Sequence, residues 1–456
     1  MSKETKGSTS RAMNSYSGGL EANTLAMLDS TGAKDNRDAN EDRTSSSTRL
    51  NQSSFSFPYK FIYSSDGIIG LQFLEAVRAA SLVPEIGIPP TNKMYQAIFG
   101  VLRFGRTLEL ITASFQLLTQ LHQRFPWVYI SNSAQLEIVD EAWSPFNFGS
   151  DVDSDEKEIS VRSSRFQQLI QDMNKGVNES EESDLKILRN KFLFEYLVHV
   201  LKFDFTPRNQ VYQETMNWSL LKESSLNLLL ASRRVNFKFL MKDCVSTICA
   251  LFDADEKSIS LVDLHKGTLS AMKELLAMIM ELDASKKKAD MEGITNRGDG
   301  VRTPAMEIIV DELTYDGYLL SNFLQVFDDS KWKLEIVIQY LTKYIPKPSV
   351  RTRRSSNPQA EDSKTLNGIL RTFSSGTNAK NITKKIGSDI VQILVGHAFL
   401  ARLTLSDSNE DDSITEICKS IISAFTNLKR VDSKIEFLPF GKEVLFTAEM
   451  VLKAKA

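Results

Sequence analysis

Apolar residues recur every three or four positions along most of the chain, the spacing that lines one face of an α-helix. TLELITASFQLLTQLHQRF (107–125), RFQQLIQDM (165–173) and SDLKILRNKFLFEYLVHVLKF (183–203) show it. So do QVYQETMNWSLLKESSLNLLLAS (210–232), GTLSAMKELLAMIMEL (267–282) and KWKLEIVIQYLTKYI (331–345). The pattern starts at Leu71 and predicts helices almost throughout 71–456. Pro126, Pro207, Pro304 and Pro346 read as helix boundaries, where proline costs least. Pro207 reads as a first-turn residue behind the potential cap Thr206. Three polar stretches read as long loops: GSDVDSDEKE (149–158), DASKKKADMEGITNRGDGVRTP (283–304) and KPSVRTRRSSNPQAEDSK (347–364).

Strand-like alternation is confined to SFSFPYKFIYSSDG (54–67). Helices of this length joined by short loops predict stacked helical pairs. The expected fold is therefore all-α, an armadillo/HEAT-like helical solenoid over 71–456. No strict repeat motif is visible. Residues 1–50 are rich in Ser, Thr, Asn, Asp and Gly and cannot bury enough apolar surface to offset ordering entropy. They predict a disordered N-terminal segment, taken to extend through residue 70. Within it LEANTLAML (20–28) sets Leu20, Leu25 and Leu28 near one helical face, either a fleeting helix or a segment that folds onto a partner.

Composition narrows the function classes. The 456 residues are 42% hydrophobic, enough for a sizeable core, and the net charge is only −3. Proteins that coat nucleic acid are usually basic, so any DNA contact here is a local patch. Three cysteines, Cys244, Cys249 and Cys418, point to a reducing compartment and not to a disulfide scaffold. The N-terminus has no apolar signal core. The longest apolar stretch, VQILVGHAFLARL (391–403), falls short of the roughly 18 residues of a spanning helix and reads as a core helix. The chain is expected to be soluble and intracellular.

Candidate chemistry is sparse. His122, His199, His265 and His397 have no second histidine or cysteine at metal-ligand spacing. His199 and His397 sit inside apolar helices and read as core residues. Cys244 and Cys249, five apart on a helix, cannot form a zinc knuckle. No phosphate loop, dinucleotide fingerprint or nucleophile elbow occurs. Asp151, Asp153 and Asp155 mimic a calcium loop, but Glu156 stands where glycine is needed and Arg162 where the bidentate glutamate is needed. The chain therefore reads as a non-enzyme with no cofactor and no metal.

One cluster stands out. Lys347, Arg351, Arg353 and Arg354 crowd a loop that Pro346 and Pro348 hold extended. It reads as a solvated loop, a phosphoregulated or partner-binding loop, or a nuclear address with weak phosphate contacts. Ser356 behind the arginines is a basophilic-kinase candidate, and Ser150 beside Asp151 and Asp153 an acidic-directed one.

Several segments together resemble the plant negative regulators of systemic acquired resistance. They are LEANTLAML, EAVRAASLVPE, PPTNKMYQAIF, LELITASFQLLTQLHQRFPWVY, FGSDVDSDEK, TPRNQVYQETMNWSLLKES, GVRTPAMEII, DELTYDGYLL and PFGKEVLF, and they span nearly the whole chain. The resemblance implies a nuclear, armadillo-like protein without catalytic residues that represses pathogenesis-related genes. It also implies membership of the SMC five/six complex, which acts in DNA damage response, repair and homologous recombination. There the chain would be the Nse-six-type regulatory subunit, paired with an Nse-five-like partner. A transcriptional corepressor docking on DNA-bound factors outside that complex is the competing expectation. No membrane or small-molecule substrate is implied. The segment 44–70 departs from the family, in which residues like DANEDR (38–43) lead directly into residues like LQFLEAVRAASL (71–82). It reads as a poorly ordered insertion, since an isolated hairpin is marginal in water.

Overall fold

The computed structural model describes residues 68–83, 85–126, 129–132, 135–138, 143–148, 160–178, 184–255, 262–296, 302–345, 365–406 and 411–454. These residues form seventeen helices and four short strands, so the all-α expectation holds. The helices are α1 (Ile68–Ser81), α2 (Asn92–Phe104), α3 (Leu108–Arg124), α4 (Ser163–Asn178), α5 (Asp184–Thr215), α6 (Trp218–Lys222), α7 (Ser225–Ala231), α8 (Phe237–Asp255) and α9 (Val262–Met291). They continue with α10 (Ala305–Tyr315), α11 (Gly317–Val326), α12 (Ser330–Thr342), α13 (Leu366–Ser374), α14 (Gly376–Ile386), α15 (Ser388–Thr404), α16 (Asp411–Val431) and α17 (Pro439–Ala454). The strands β1 (Tyr129–Asn132) and β2 (Gln135–Ile138) make one two-stranded ladder, and β3 (Phe146–Asn147) and β4 (Val161–Arg162) another. The expected disorder of residues 1–70, the 20–28 island and the strand-like 54–67 stretch fall outside the described residues, except for Ile68–Gly70. Those three residues open α1, so its start is corrected from Leu71 to Ile68, with Gly70 already buried.

The described residues cluster into two compact units, and α5 contributes its first half to one and its second half to the other. The first unit contains α1, α2 and α3. Thr107 has extended backbone angles, and its hydroxyl accepts the Leu110 N–H at 3.4 Å, so α3 begins where the apolar period begins. Phe99 and Tyr196 are fully buried, with ring centroids 5.7 Å apart. His122 lies edge-on to Tyr196 at 5.6 Å and to Tyr95 at 5.5 Å.

In the second unit α8 is the hub. It packs on α4, α9, α10 and α11. Its buried residues Leu240, Met241, Cys244, Val245, Ile248, Cys249 and Leu251 cover a face wider than one stripe, as a helix with neighbours on several sides requires. Farther along, α12 packs on α15, α15 on α17, and α13 on α16. Gly396 allows one of these contacts: a Cβ there would stand 2.6 Å from the Phe440 ring and 3.0 Å from Val444, both on α17.

Between α4 and α11, several side-chain bonds recur at a nearly constant chain offset. Gln171 reaches Asp243 and Lys202 reaches Glu274, each 72 residues apart. Asn236 meets Gln167 and Asn322 meets Asp253, each 69 apart, and Tyr212 meets Ser285, 73 apart. From α4 to α11, then, α4 bonds to α8, α5 to α9 and α8 to α11, the stacking logic of a solenoid.

Two further expectations are corrected. Pro207 is inside α5, not at its start, although it removes one ladder hydrogen bond. Packing on both sides of it outweighs that cost. Phe205 and Tyr212 are buried, and Arg208 Nε donates to Asp204 Oδ1 at 2.8 Å while its Nη1 donates to the Leu220 carbonyl at 3.2 Å. The Ser225 N–H donates to the other Asp204 oxygen at 2.6 Å, which ties α5, α6 and α7 together. The second correction concerns 283–304, read as a loop. Its first nine residues continue α9 to Met291. Ser285 is buried there, with Tyr212 donating to its carbonyl at 2.7 Å and its own hydroxyl donating to Asn209 Oδ1 at 3.2 Å.

Candidate interaction surface

The residues singled out from sequence, Lys347, Arg351, Arg353, Arg354, Ser356 and Ser150, all lie outside the described residues. The acidic run Asp151, Asp153 and Asp155 does too.

The histidines and cysteines that are described serve the interior. His122 Nδ1 donates to the Leu118 carbonyl at 3.0 Å inside its aromatic surround. His199 meets Phe203 edge-on at 4.4 Å, and burial holds its pKa below the ordinary value. His397 lies 4.7 Å from the Phe440 ring; burial, then the Lys333 charge, pushes its pKa down to about 4. All three cysteines are buried thiols. Burial drives Cys244 far above its ordinary range and Cys249 up to about 12, so neither supplies a thiolate at neutral pH. No group of three or more metal-ligating side chains converges among the described residues. No single described helix is long and apolar enough to cross a membrane.

What the second unit offers outward is a basic groove of ≈ 450 Å³. It is lined by Arg233, Arg234 and Lys238 around the start of α8, and by Arg302 and Thr303 before α10. Val235, Phe237 and Ile308 form its apolar part. Asn236 fixes the start of α8: its side chain accepts the Phe239 N–H at 3.3 Å and its own N–H donates to Gln167 at 2.9 Å. Arg302 is held from behind. Its Nη2 and Nε donate to Asp283 Oδ1 at 2.6 and 3.1 Å, and its guanidinium lies 4.7 Å from the Phe237 ring centroid. The other Asp283 oxygen accepts the Ala305 N–H at 2.7 Å, which anchors the start of α10. Arg233, Arg234 and Lys238 are exposed.

Sequence reasoning missed this groove. RRVNFK carries three cations in six residues, but the basic residues quoted for attention lay elsewhere. Arg302 joins them only through folding.

Two smaller outward features are apolar. Tyr315 and Tyr318 stand exposed on either side of Asp316, whose side chain caps α11. Phe446 and Met450 are exposed one turn apart on α17.

The family model described as the SNI1 middle domain matches residues 127–257 and 251–329, and the SNI1 C-terminal domain matches 345–456. The Arabidopsis thaliana protein named "Negative regulator of systemic acquired resistance SNI1" is 79% identical over 459 residues, with all of both chains covered. No solved structure matches.

Proposed function

Since the chain belongs to the SNI1 family, we propose that it is a negative regulator of systemic acquired resistance that works as a non-enzymatic helical scaffold. The observation that carries this reading is the full-length identity to a protein bearing that name. Consistent with it, the described histidines and cysteines are spent on packing, and the outward features are a groove and exposed aromatics. We further propose a nuclear protein that binds SMC five/six subunits and an Nse-five-like partner in DNA repair and recombination. That finer assignment rests on the family resemblance of the sequence.

Affinity purification of the full chain from nuclei with damaged DNA tests it. Co-purifying SMC five/six subunits are the expected result. Recovery of DNA-bound transcription factors with no SMC subunit would replace the scaffold with a corepressor.

A further inference from the structure

We propose that the groove at the start of α8 binds a phosphoserine- or phosphothreonine-bearing segment of a partner protein. Four of the nine lining residues, Arg233, Arg234, Lys238 and Arg302, are cationic, and none of the nine is acidic. Arg233 and Lys238 have no carboxylate partner among the described residues. Arg302 is already oriented by Asp283 and the Phe237 ring, so binding costs it little rotamer freedom. The N–H groups of Phe237 and Lys238, in the first turn of α8, have no intrahelical acceptor by geometry. They add donors and the positive end of a helix dipole.

A phosphate monoester brings about −1.5 to −2 charges and three strong acceptor oxygens. Arginine forks, a lysine, the Thr303 hydroxyl and backbone N–H groups are the donors such a group uses. A plain carboxylate satisfies fewer of them and carries less charge.

The extent of the charge favours one phosphate over a nucleic-acid backbone. Tight duplex binding uses roughly 6–10 phosphate contacts along a track. Along α8 itself, the cations without a carboxylate partner among the described residues end within a turn. Lys242, the next lysine along α8, is paired with Glu312 at 2.5 Å. On α9, Glu281 pairs with Lys331 of α12 at 2.6 Å and Glu274 with Lys202 of α5 at 2.8 Å. The apolar part of the lining is small, with Val235 and Ile308 buried and only Phe237 partly exposed, and it offers nothing to a sugar-phosphate track. The proposal concerns the ligand of this groove and stands whichever complex the chain joins.

The test uses the full chain and two matched degenerate peptide libraries, one with a central phosphoserine and one with serine. The phosphoserine library should bind in preference, and free phosphoserine should compete with it. Arg233→Ala with Lys238→Ala should weaken phosphopeptide binding by about tenfold per cation removed, while Lys453→Ala on α17 should leave it unchanged. In the unsubstituted chain, bound phosphopeptide should slow acylation of Lys238 and not of Lys453, a readout that needs no variant to fold. Equal binding of the two libraries, or no protection of Lys238, would overturn the proposal. A short DNA duplex that binds through Arg233 and Lys238 in preference to the phosphopeptide would also overturn it, in favour of a nucleic-acid contact.

Discussion

Arg208 and Arg233 belong to the same unit and have opposite surroundings. Arg208 is buried in α5, held by Asp204, the Leu220 carbonyl and a network that reaches Ser225. Arg233 is exposed beside a groove, with no carboxylate partner among the described residues. The first arrangement uses charge to fix three helices in register. The second leaves charge available to something outside the chain. An arginine's role here follows from what faces it, and the residue type says little by itself.

The largest effect that would sharpen this contrast comes from the buried side. Asp204→Ala strands the Arg208 guanidinium in the interior, and chemical denaturation should report a loss of about 3–5 kcal/mol. A loss below about 1 kcal/mol would mean that Arg208 escapes to water and that the clamp is not structural.

The next effect is a pH dependence from His397, a half-buried group that would be a cation if protonated. Its pKa falls from 6.5 to about 4 in the fold, so the folded chain keeps it neutral. Between those values the unfolded chain takes up a proton that the folded chain refuses. Stability contributed by this group is therefore complete above about pH 6.5 and declines toward pH 4, by up to about 1.4 kcal/mol per unit. His397→Phe should flatten that part of a stability–pH profile, and an unchanged profile would remove His397 as the cause.

Smaller still is Tyr212→Phe, which deletes the 2.7 Å bond to the Ser285 carbonyl while keeping the ring. Thermal unfolding should show a cost of about 1 kcal/mol. A cost near zero would say that this bond adds nothing to the α5–α9 seam beyond its other contacts.

Much of the fold was legible because local signals agreed. The three-and-four apolar period over 107–125 located α3, which the structure caps with Thr107, and the 391–403 run located the core helix α15. The failures share one cause, distant packing acting on a locally ambiguous segment. Pro207 looks like a helix start until Asp204, Arg208 and Tyr212 lock its surroundings. The lysine-rich 283–291 looks like a loop until Tyr212, Asn209 and Gln213 bond to Ser285. The layer offset near 70 residues was hidden for a related reason. It is carried by pairs of different chemistry, Gln171 with Asp243 and Lys202 with Glu274, so no residue type repeats. The groove was out of reach because Arg302 comes to Arg233 and Lys238 through the packing of α10 on α8.

The contrast is tested most directly by melting two variants of the full chain side by side. Arg208→Ala strands the Asp204 carboxylate and should lower the midpoint by about 5–8 °C. Arg233→Ala with Lys238→Ala removes two exposed cations and should leave the midpoint within about 1–2 °C of the unsubstituted chain. Equal losses in the two variants would contradict the account, because the groove cations would then be part of the folded framework and not a surface held open for a partner.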